Sequence, residues 1–157
     1  MKLTLRPYEP GDFEALYRID RACYEPGIAY SRRMLREYLE LPESRCLVAL
    51  LGQEIAGFVI AVWQDWYAHV ITIDVGEQAR RHGVGSALMS AIEKQMAQAG
   101  VRMVELETAL NNHPAIAFWQ KLGYRAVSVY PRYYQNRTDA YRMVKEIASV
   151  RFRRPRM

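Results

Sequence analysis

The stretch Gln78–Met89, QARRHGVGSALM, sets two arginines and a histidine directly before Gly-Val-Gly and then opens an apolar helical stripe. The run before it, YAHVITIDV (Tyr67–Val75), is rich in β-branched residues, so the local order is strand, basic loop, helix. The first backbone N–H groups of a helix lack intrahelical acceptors and carry partial positive charge. An anion placed there satisfies them. Glycines let it come close to the backbone, and basic side chains add charge. Arg80, Arg81, His82, Gly83, Val84, Gly85 and Ser86 therefore read as a pyrophosphate cradle. The competing reading is a tight turn with solvated arginines. Two familiar phosphate motifs are excluded. No Gly-Lys-Ser/Thr follows, so this is not a Walker A loop. The third glycine of the dinucleotide fingerprint is missing, and the preceding strand comes late in the chain.

Outward from this loop the chain reads as a regular series of elements. LTLRP (Leu3–Pro7) is a short strand. Phe13, Leu16, Tyr17 and Cys23 fall near helical spacing, and Pro26-Gly27 break that helix. Ser31 can cap a second helix that stops at Pro42. CLVALL and EIAGFVIAVW look like a hairpin turning at Gly52. Behind the glycines, Val84, Ala87, Leu88, Ala91, Ile92 and Met96 form one stripe, and Gly100 can end that helix. VRMVELET is a strand, Asn112 caps a short helix, and YRAVSVY and AYRMVKEI are the last two strands. The order β-α-α-β-β-β-α-β-α-β-β predicts an α/β fold, a mixed central sheet with helices on both faces.

Composition narrows the class. The chain has 157 residues, half of them hydrophobic and a quarter charged, which suits one soluble domain. No apolar run is long enough to span a membrane. MKLTLRPYEPGDF has no apolar signal region, so the cytoplasm is the expected compartment. Cys23 and Cys46 have no metal-ligand spacing and read as reduced thiols, and no metal is expected. The net charge of +5 falls to +1 once the four arginines of the terminal RFRRPRM are set aside. Residues 1–147 are thus expected to form the domain and 148–157 a basic, disordered tail. That tail is either simply solvated or weakly attracted to RNA or the ribosome, with no specific nucleic-acid binding expected.

At the loop Arg80–Gly85 the sequence resembles the GNAT superfamily of acyl-CoA-dependent N-acyltransferases, whose pyrophosphate loop reads Gln/Arg-x-x-Gly-x-Gly/Ala. The resemblance runs from about Leu3 to Ile147. ELETALNNHPAIAFWQKLGY is similar to the family's strand, asparagine and helix ending in Leu-Gly-Phe/Tyr. Three places resemble the bacterial branch that acetylates the N-terminal amine of ribosomal proteins. They are the loop Cys23-Tyr24 to Tyr30-Ser31, the pair Leu106-Glu107, and Arg132-Tyr133-Tyr134 followed by Thr138-Asp139-Ala140 and Met143. The resemblance implies the GNAT fold and acetyl-CoA as co-substrate. It also implies a primary amine as acceptor, foremost a protein N-terminus, attacking directly in a ternary complex.

It also implies roles. Glu107, which strand alternation places on one face with Met103 and Glu105, would be the general base. The alternative is a solvated strand carboxylate. The strand around Ile73 to Val75 would bulge and splay from the next one, exposing N–H groups, with Val75 as oxyanion donor. Asn112 would bind the pantetheine arm, or only cap its helix. Tyr30, Tyr133 and Tyr134 would hold the peptide acceptor; the two loop tyrosines can also be read as half-buried edge residues. Trp119 is a departure. The branch has a tyrosine there, held to protonate the leaving thiolate, and an indole N–H does not release its proton. Trp119 is placed with the donor-binding residues, core packing on the stripe Ala115, Phe118, Trp119, Leu122 being the other reading. The thiolate, with a pKa of about 8.5, then leaves unaided or is met by Tyr124, Tyr130, Tyr133 or Tyr134. Of the histidines, His82 can touch phosphate, whereas His69 and His113 read as structural.

Two other functions stay open on sequence alone. One is acetylation of a small amine such as a polyamine, amino sugar or amino acid. The other is a weakly active acyl-CoA-binding or ribosome-associated module. Monomer and homodimer are both allowed.

Overall fold

A computed structural model describes residues 1–148; the arginine-rich end lies outside the described residues. The elements are β1 (Leu3–Pro7), α1 (Phe13–Cys23), α2 (Arg32–Glu40), β2 (Ser44–Leu51), β3 (Glu54–Gln64), β4 (Tyr67–Val75), α3 (Val84–Ala99), β5 (Met103–Ala109), α4 (His113–Lys121), β6 (Arg125–Tyr130) and β7 (Ala140–Glu146). Short 3₁₀ turns at Pro10–Asp12 and Glu77–Ala79 join them. This is the order expected from the sequence. Hydrogen-bonded neighbours run β1-β2-β3-β4-β5-β7-β6, a mixed sheet.

The chain forms two compact units, one of Met1–Val62 with Val70–Ile92, the other of Trp63–His69 with the described residues from Glu93 onward. In the first unit β1, β2 and β3 are antiparallel neighbours. Gly52, at φ +63, makes the turn of the β2–β3 hairpin in the left-handed conformation that glycine adopts without strain. Phe13 and Leu16 of α1, Leu35 of α2, Val48 of β2 and Phe58 and Ile60 of β3 form its core. Each such side chain contributes about 2 kcal/mol when fully buried. Ser31 caps α2, accepting from the Met34 N–H at 3.2 Å. Before α1, Asp12 accepts both Arg6 guanidinium nitrogens at 2.7 and 2.9 Å, which holds its carboxyl below its usual range.

In the second unit β5 pairs in parallel with the start of β4 and antiparallel with β7, which pairs in turn with β6. The β4–β5 ladder comprises three pairs, from Tyr67↔Met103 to His69↔Glu105. Val104, Leu106 and Thr108 of β5 are buried, whereas Met103, Glu105 and Glu107 are only partly so. That is the alternation read from the sequence, and it puts both glutamates on one face.

Candidate active site

The first unit carries the basic loop. Arg81 sits at φ +68 and Gly83 at φ +75, both left-handed, and α3 begins at Val84. Left-handed residues in a turn of this kind can aim successive N–H groups at one concave point, a geometry that binds anions. The Ala87 N–H donates to the Gly83 carbonyl at 3.0 Å, so the N–H groups ahead of it start the helix without such partners. Arg80, Arg81, His82, Gly83 and Ser86 are exposed, Gly85 is half-buried, and Val84 is buried and anchors the helix start. A Cβ on Gly83 would meet no atom within 4 Å. That glycine serves the conformation rather than the space.

Gly57 of β3 is the opposite case and was missed in the sequence. A Cβ there would lie 2.5 Å from the Asp74 carbonyl, 3.2 Å from Val75 Cα and 3.3 Å from Val84 Cγ1. Its absence lets β3 close on the end of β4 and the start of α3. The available signal was a glycine inside the otherwise apolar run EIAGFVIAVW.

The edge of β4 is unusual. Along a strand, alternate residues present N–H and C=O to the same side. The carbonyls of Ile71, Ile73 and Val75 accept from side chains: Tyr30 Oη at 3.3 Å, Tyr24 Oη at 3.0 Å and Cys23 Sγ at 3.4 Å. The N–H groups of Ile73 and Val75 belong to that same edge. Burial and the nearby Asp74 push the Cys23 thiol up to about 11, so it stays a hydrogen-bond donor near neutrality. Tyr24 is likewise held as a phenol by burial.

The second unit carries a cluster of ionisable side chains on one face of β4 and β5. Glu107, with a side chain 10% exposed, contacts His69 Nε2 at 2.7 Å and accepts from Tyr133 Oη at 3.1 Å, both through Oε1. Glu105 is occupied differently. Its Oε1 accepts Arg142 Nε at 2.7 Å and Tyr130 Oη at 3.5 Å, and Arg142 also reaches Tyr67 Oη at 3.3 Å. One glutamate is neutralised by a permanent cation; the other faces a titratable ring and an exposed phenol. The sequence alone gives His69 a structural reading. Its partner lies 38 positions away, and only the parallel register of β4 and β5 brings them together.

Tyr133 stacks on Tyr130 with centroids 5.6 Å apart and meets Tyr134 edge-on at 4.9 Å. Tyr133 is 46% exposed, whereas burial and the Glu107 charge raise the Tyr134 phenol above its usual range. The loop they share closes on itself: Arg132 N–H donates to Asp139 Oδ1 at 2.8 Å and Arg137 N–H to the Tyr134 carbonyl at 2.8 Å. Asn112 Oδ1 accepts the Ala115 N–H at 3.2 Å, which is the capping role; its amide NH2 is a separate donor. Trp119 is 5% exposed and packs edge-on between Phe118 and Tyr124, at 5.0 and 5.2 Å. It therefore offers little surface to a ligand. Tyr124 is buried and donates to Glu93 Oε2 at 2.8 Å, with Lys145 on the other carboxylate oxygen at 2.7 Å. Burial and that carboxylate raise its phenol far above the usual range.

Residues 13–124 match the Acetyltransferase (GNAT) family. This chain belongs to that family. It is 30% identical over 145 residues to an N-alpha-acetyltransferase of Sulfurisphaera tokodaii, covering 84% of this chain and 86% of the relative. The crystal structure of Ard1 from Thermoplasma volcanium superposes with a TM-score of 0.84 at 31% identity, covering 94% of this chain and 99% of that one. The ribosomal-protein-S18-alanine N-acetyltransferase of Escherichia coli has the same fold, with a TM-score of 0.84 at 23% identity over 94% and 95%. The GNAT fold, acetyltransferase activity and acetyl-CoA as donor follow from family membership. Among the described residues no cluster of three His, Cys, Asp or Glu could hold a metal ion, and no helix is long and apolar enough to cross a membrane.

Proposed function

We propose that this acetyltransferase modifies the N-terminal α-amine of proteins, a ribosomal protein being one candidate acceptor. The observation that carries the reading is Glu107, held between His69 and the exposed Tyr133. Relatives named as N-alpha-acetyltransferases from Sulfurisphaera tokodaii and Saccharolobus solfataricus support it.

The residues fit the donor. Exposed Arg80 and Arg81, the left-handed Arg81 and Gly83, and the start of α3 suit a diphosphate. The Asn112 amide and the edge N–H groups of Ile73 and Val75 suit the amide and carbonyl groups of the pantetheine arm. Acetyl-CoA supplies a thioester carbonyl, activated toward attack by an amine. Val75 N–H is the donor for negative charge developing on oxygen.

The acceptor amine must lose a proton. An α-amine has a pKa of about 8, so roughly one molecule in ten is already neutral at pH 7. A lysine-like amine near 10.4 is about 250-fold less so. A carboxylate backed by an imidazole suits the first task better than the second. Glu107 takes the proton, directly or through water, and His69 stabilises the charge change. Both glutamates of β5 are already partnered, Glu105 by the permanent cation of Arg142, which favours a peptide amine over a polycation.

The test is thiol release from acetyl-CoA with short peptides, each supplied with a free and with a blocked N-terminus, alongside polyamines and amino sugars. Turnover of free peptides only is expected. Turnover confined to small amines overturns the acceptor assignment and leaves the family untouched.

A further inference from the structure

Asp20 of α1 and Asp74 of β4 are 0% and 1% exposed, and the mechanism above uses neither. Asp20 lies one turn before Cys23 and Tyr24, which bond the Val75 and Ile73 carbonyls on either side of Asp74, so the two acids face each other. Two of their four oxygens have ordinary donors. Asp20 Oδ2 accepts the Tyr30 N–H at 2.7 Å, and Asp74 Oδ1 accepts Thr72 Oγ1 at 2.6 Å. The other two, Asp20 Oδ1 and Asp74 Oδ2, are buried without any partner. One shared proton satisfies two orphaned acceptors on adjacent carboxyls together.

The Tyr24 phenol also lies beside Asp74, but its proton goes to the Ile73 carbonyl at 3.0 Å. Cys23 and Tyr24 face the pair from α1 and its C-terminal end, Thr72 from β4, and Cys46 from β2. The cation Arg80 reaches the Cys23 sulfur at 4.0 Å instead. Among the described residues no lysine or arginine bonds either carboxyl. Burial and the adjacent Asp20 hold the Asp74 acid well above the usual carboxylate range, which agrees with the geometry.

We infer that Asp20 and Asp74 share a single proton, Asp74 Oδ2–H donating to Asp20 Oδ1, and that this pair positions the loop between α1 and α2 on the edge of β4. The connection is direct. Asp20 grips the backbone of Tyr30, and Asp74 sits between Ile73 and Val75. Cys23, Tyr24 and Tyr30, from the segment that Asp20 anchors, donate to three alternate carbonyls of β4. Loss of the proton leaves two buried carboxylates side by side, and their repulsion loosens the loop. Asp20 and Asp74 are positioning residues and touch no reacting atom.

The sign of the pH effect follows. Asp74 binds its proton more tightly in the folded chain than in the unfolded one. The stability this gives is complete below the unfolded Asp pKa of about 3.9 and is lost as pH rises toward the folded value. Asp74→Asn keeps the geometry, since its NH2 can donate to Asp20 and its oxygen can accept from Thr72, and it removes the titration.

The experiment compares wild type, Asp74→Asn and Asp20→Asn by infrared spectroscopy and by thermal unfolding against pH. Neither measurement needs a substrate, so failure here is separable from failure of the functional reading. Expected are a protonated-carboxyl C=O band in the wild type at neutral pH, absent from Asp74→Asn, and a fall of Tm with rising pH that Asp74→Asn flattens. Absence of the band overturns the shared proton, as does its survival in both variants. If Asp74→Asn does not fold, the band in wild type and its loss in Asp20→Asn decide the matter. The positioning role, which rests on the proposed function, predicts that the peptide KM of wild type rises at alkaline pH while that of Asp74→Asn stays flat. Parallel KM profiles overturn that part.

Discussion

The two units work with different materials. In the first, the groups suited to the donor are mostly backbone: the turn at Arg81–Gly83, the start of α3 and the edge of β4, whose carbonyls are held by Cys23, Tyr24 and Tyr30. In the second, the groups suited to proton transfer are side chains on one face of β4 and β5: His69, Glu107 and, across the loop, Tyr133. Backbone donors stay in place under most substitutions, so binding there depends on conformation and charge. A side-chain base is lost with one atom exchange. Mutations at His69 and Glu107 should therefore reach kcat, and mutations at the Arg80–Gly83 turn the KM for acetyl-CoA.

The largest expected effect breaks the second unit. Glu107→Gln keeps size and hydrogen bonds and removes the base. It should lower kcat for a free peptide by about 10²- to 10⁴-fold. Acetyl-CoA affinity, measured by calorimetry, should move by no more than about twofold. An equal loss in both quantities would mean that Glu107 holds the fold or the donor rather than the proton.

Next comes the converse change. Arg80→Ala with Arg81→Ala removes two exposed charges beside the helix start. The acetyl-CoA KM should rise about tenfold, roughly one charge-assisted hydrogen bond's worth after solvent screening, with kcat at saturation unchanged. If the KM stays put, the backbone alone holds the diphosphate and the arginines are solvated, as the competing reading of the loop had it.

How much of this was legible beforehand follows the same division. The strand, basic loop and helix around Gly83 were readable because each has local causes: β-branched runs, glycine, an apolar stripe. Glu107 could be placed on its face by alternation alone. Gly57 was not seen, because its reason is a 2.5 Å approach by a carbonyl 17 residues away in sequence. His69 was passed over for a similar cause. A histidine declares no role until register puts a carboxylate beside it, and the register of β4 and β5 is fixed by three pairs of residues distant in sequence. Trp119 had two readings that only packing could separate, and the edge contacts with Phe118 and Tyr124 favour the core. The N-terminal acceptor, by contrast, rested on resemblance from the start and still rests on relatives.

His69 now gives a sharper test of the division. His69→Ala leaves Glu107 without its nitrogen partner and should lower kcat about tenfold, the value of a hydrogen bond to a charged group. His69→Gln restores a donor from the same place and should recover part of that loss. Recovery would assign His69 to orienting Glu107. No recovery, with folding intact, would mean that the ring itself takes part in moving the proton.

The smallest effect separates two uses of Tyr133. Its hydroxyl donates to Glu107, yet nearly half of the residue is exposed and its ring stacks on Tyr130. Tyr133→Phe keeps the ring and removes the donor. A single hydrogen bond to a partly solvated carboxylate is worth about 1 kcal/mol, so kcat should change by only about threefold to fivefold. A peptide clamp made by the same hydroxyl would instead raise the peptide KM and leave kcat alone. The direction of that small change says whether the exposed tyrosine serves the base or the acceptor, and so whether the acid–base unit reaches to its rim or ends at His69 and Glu107.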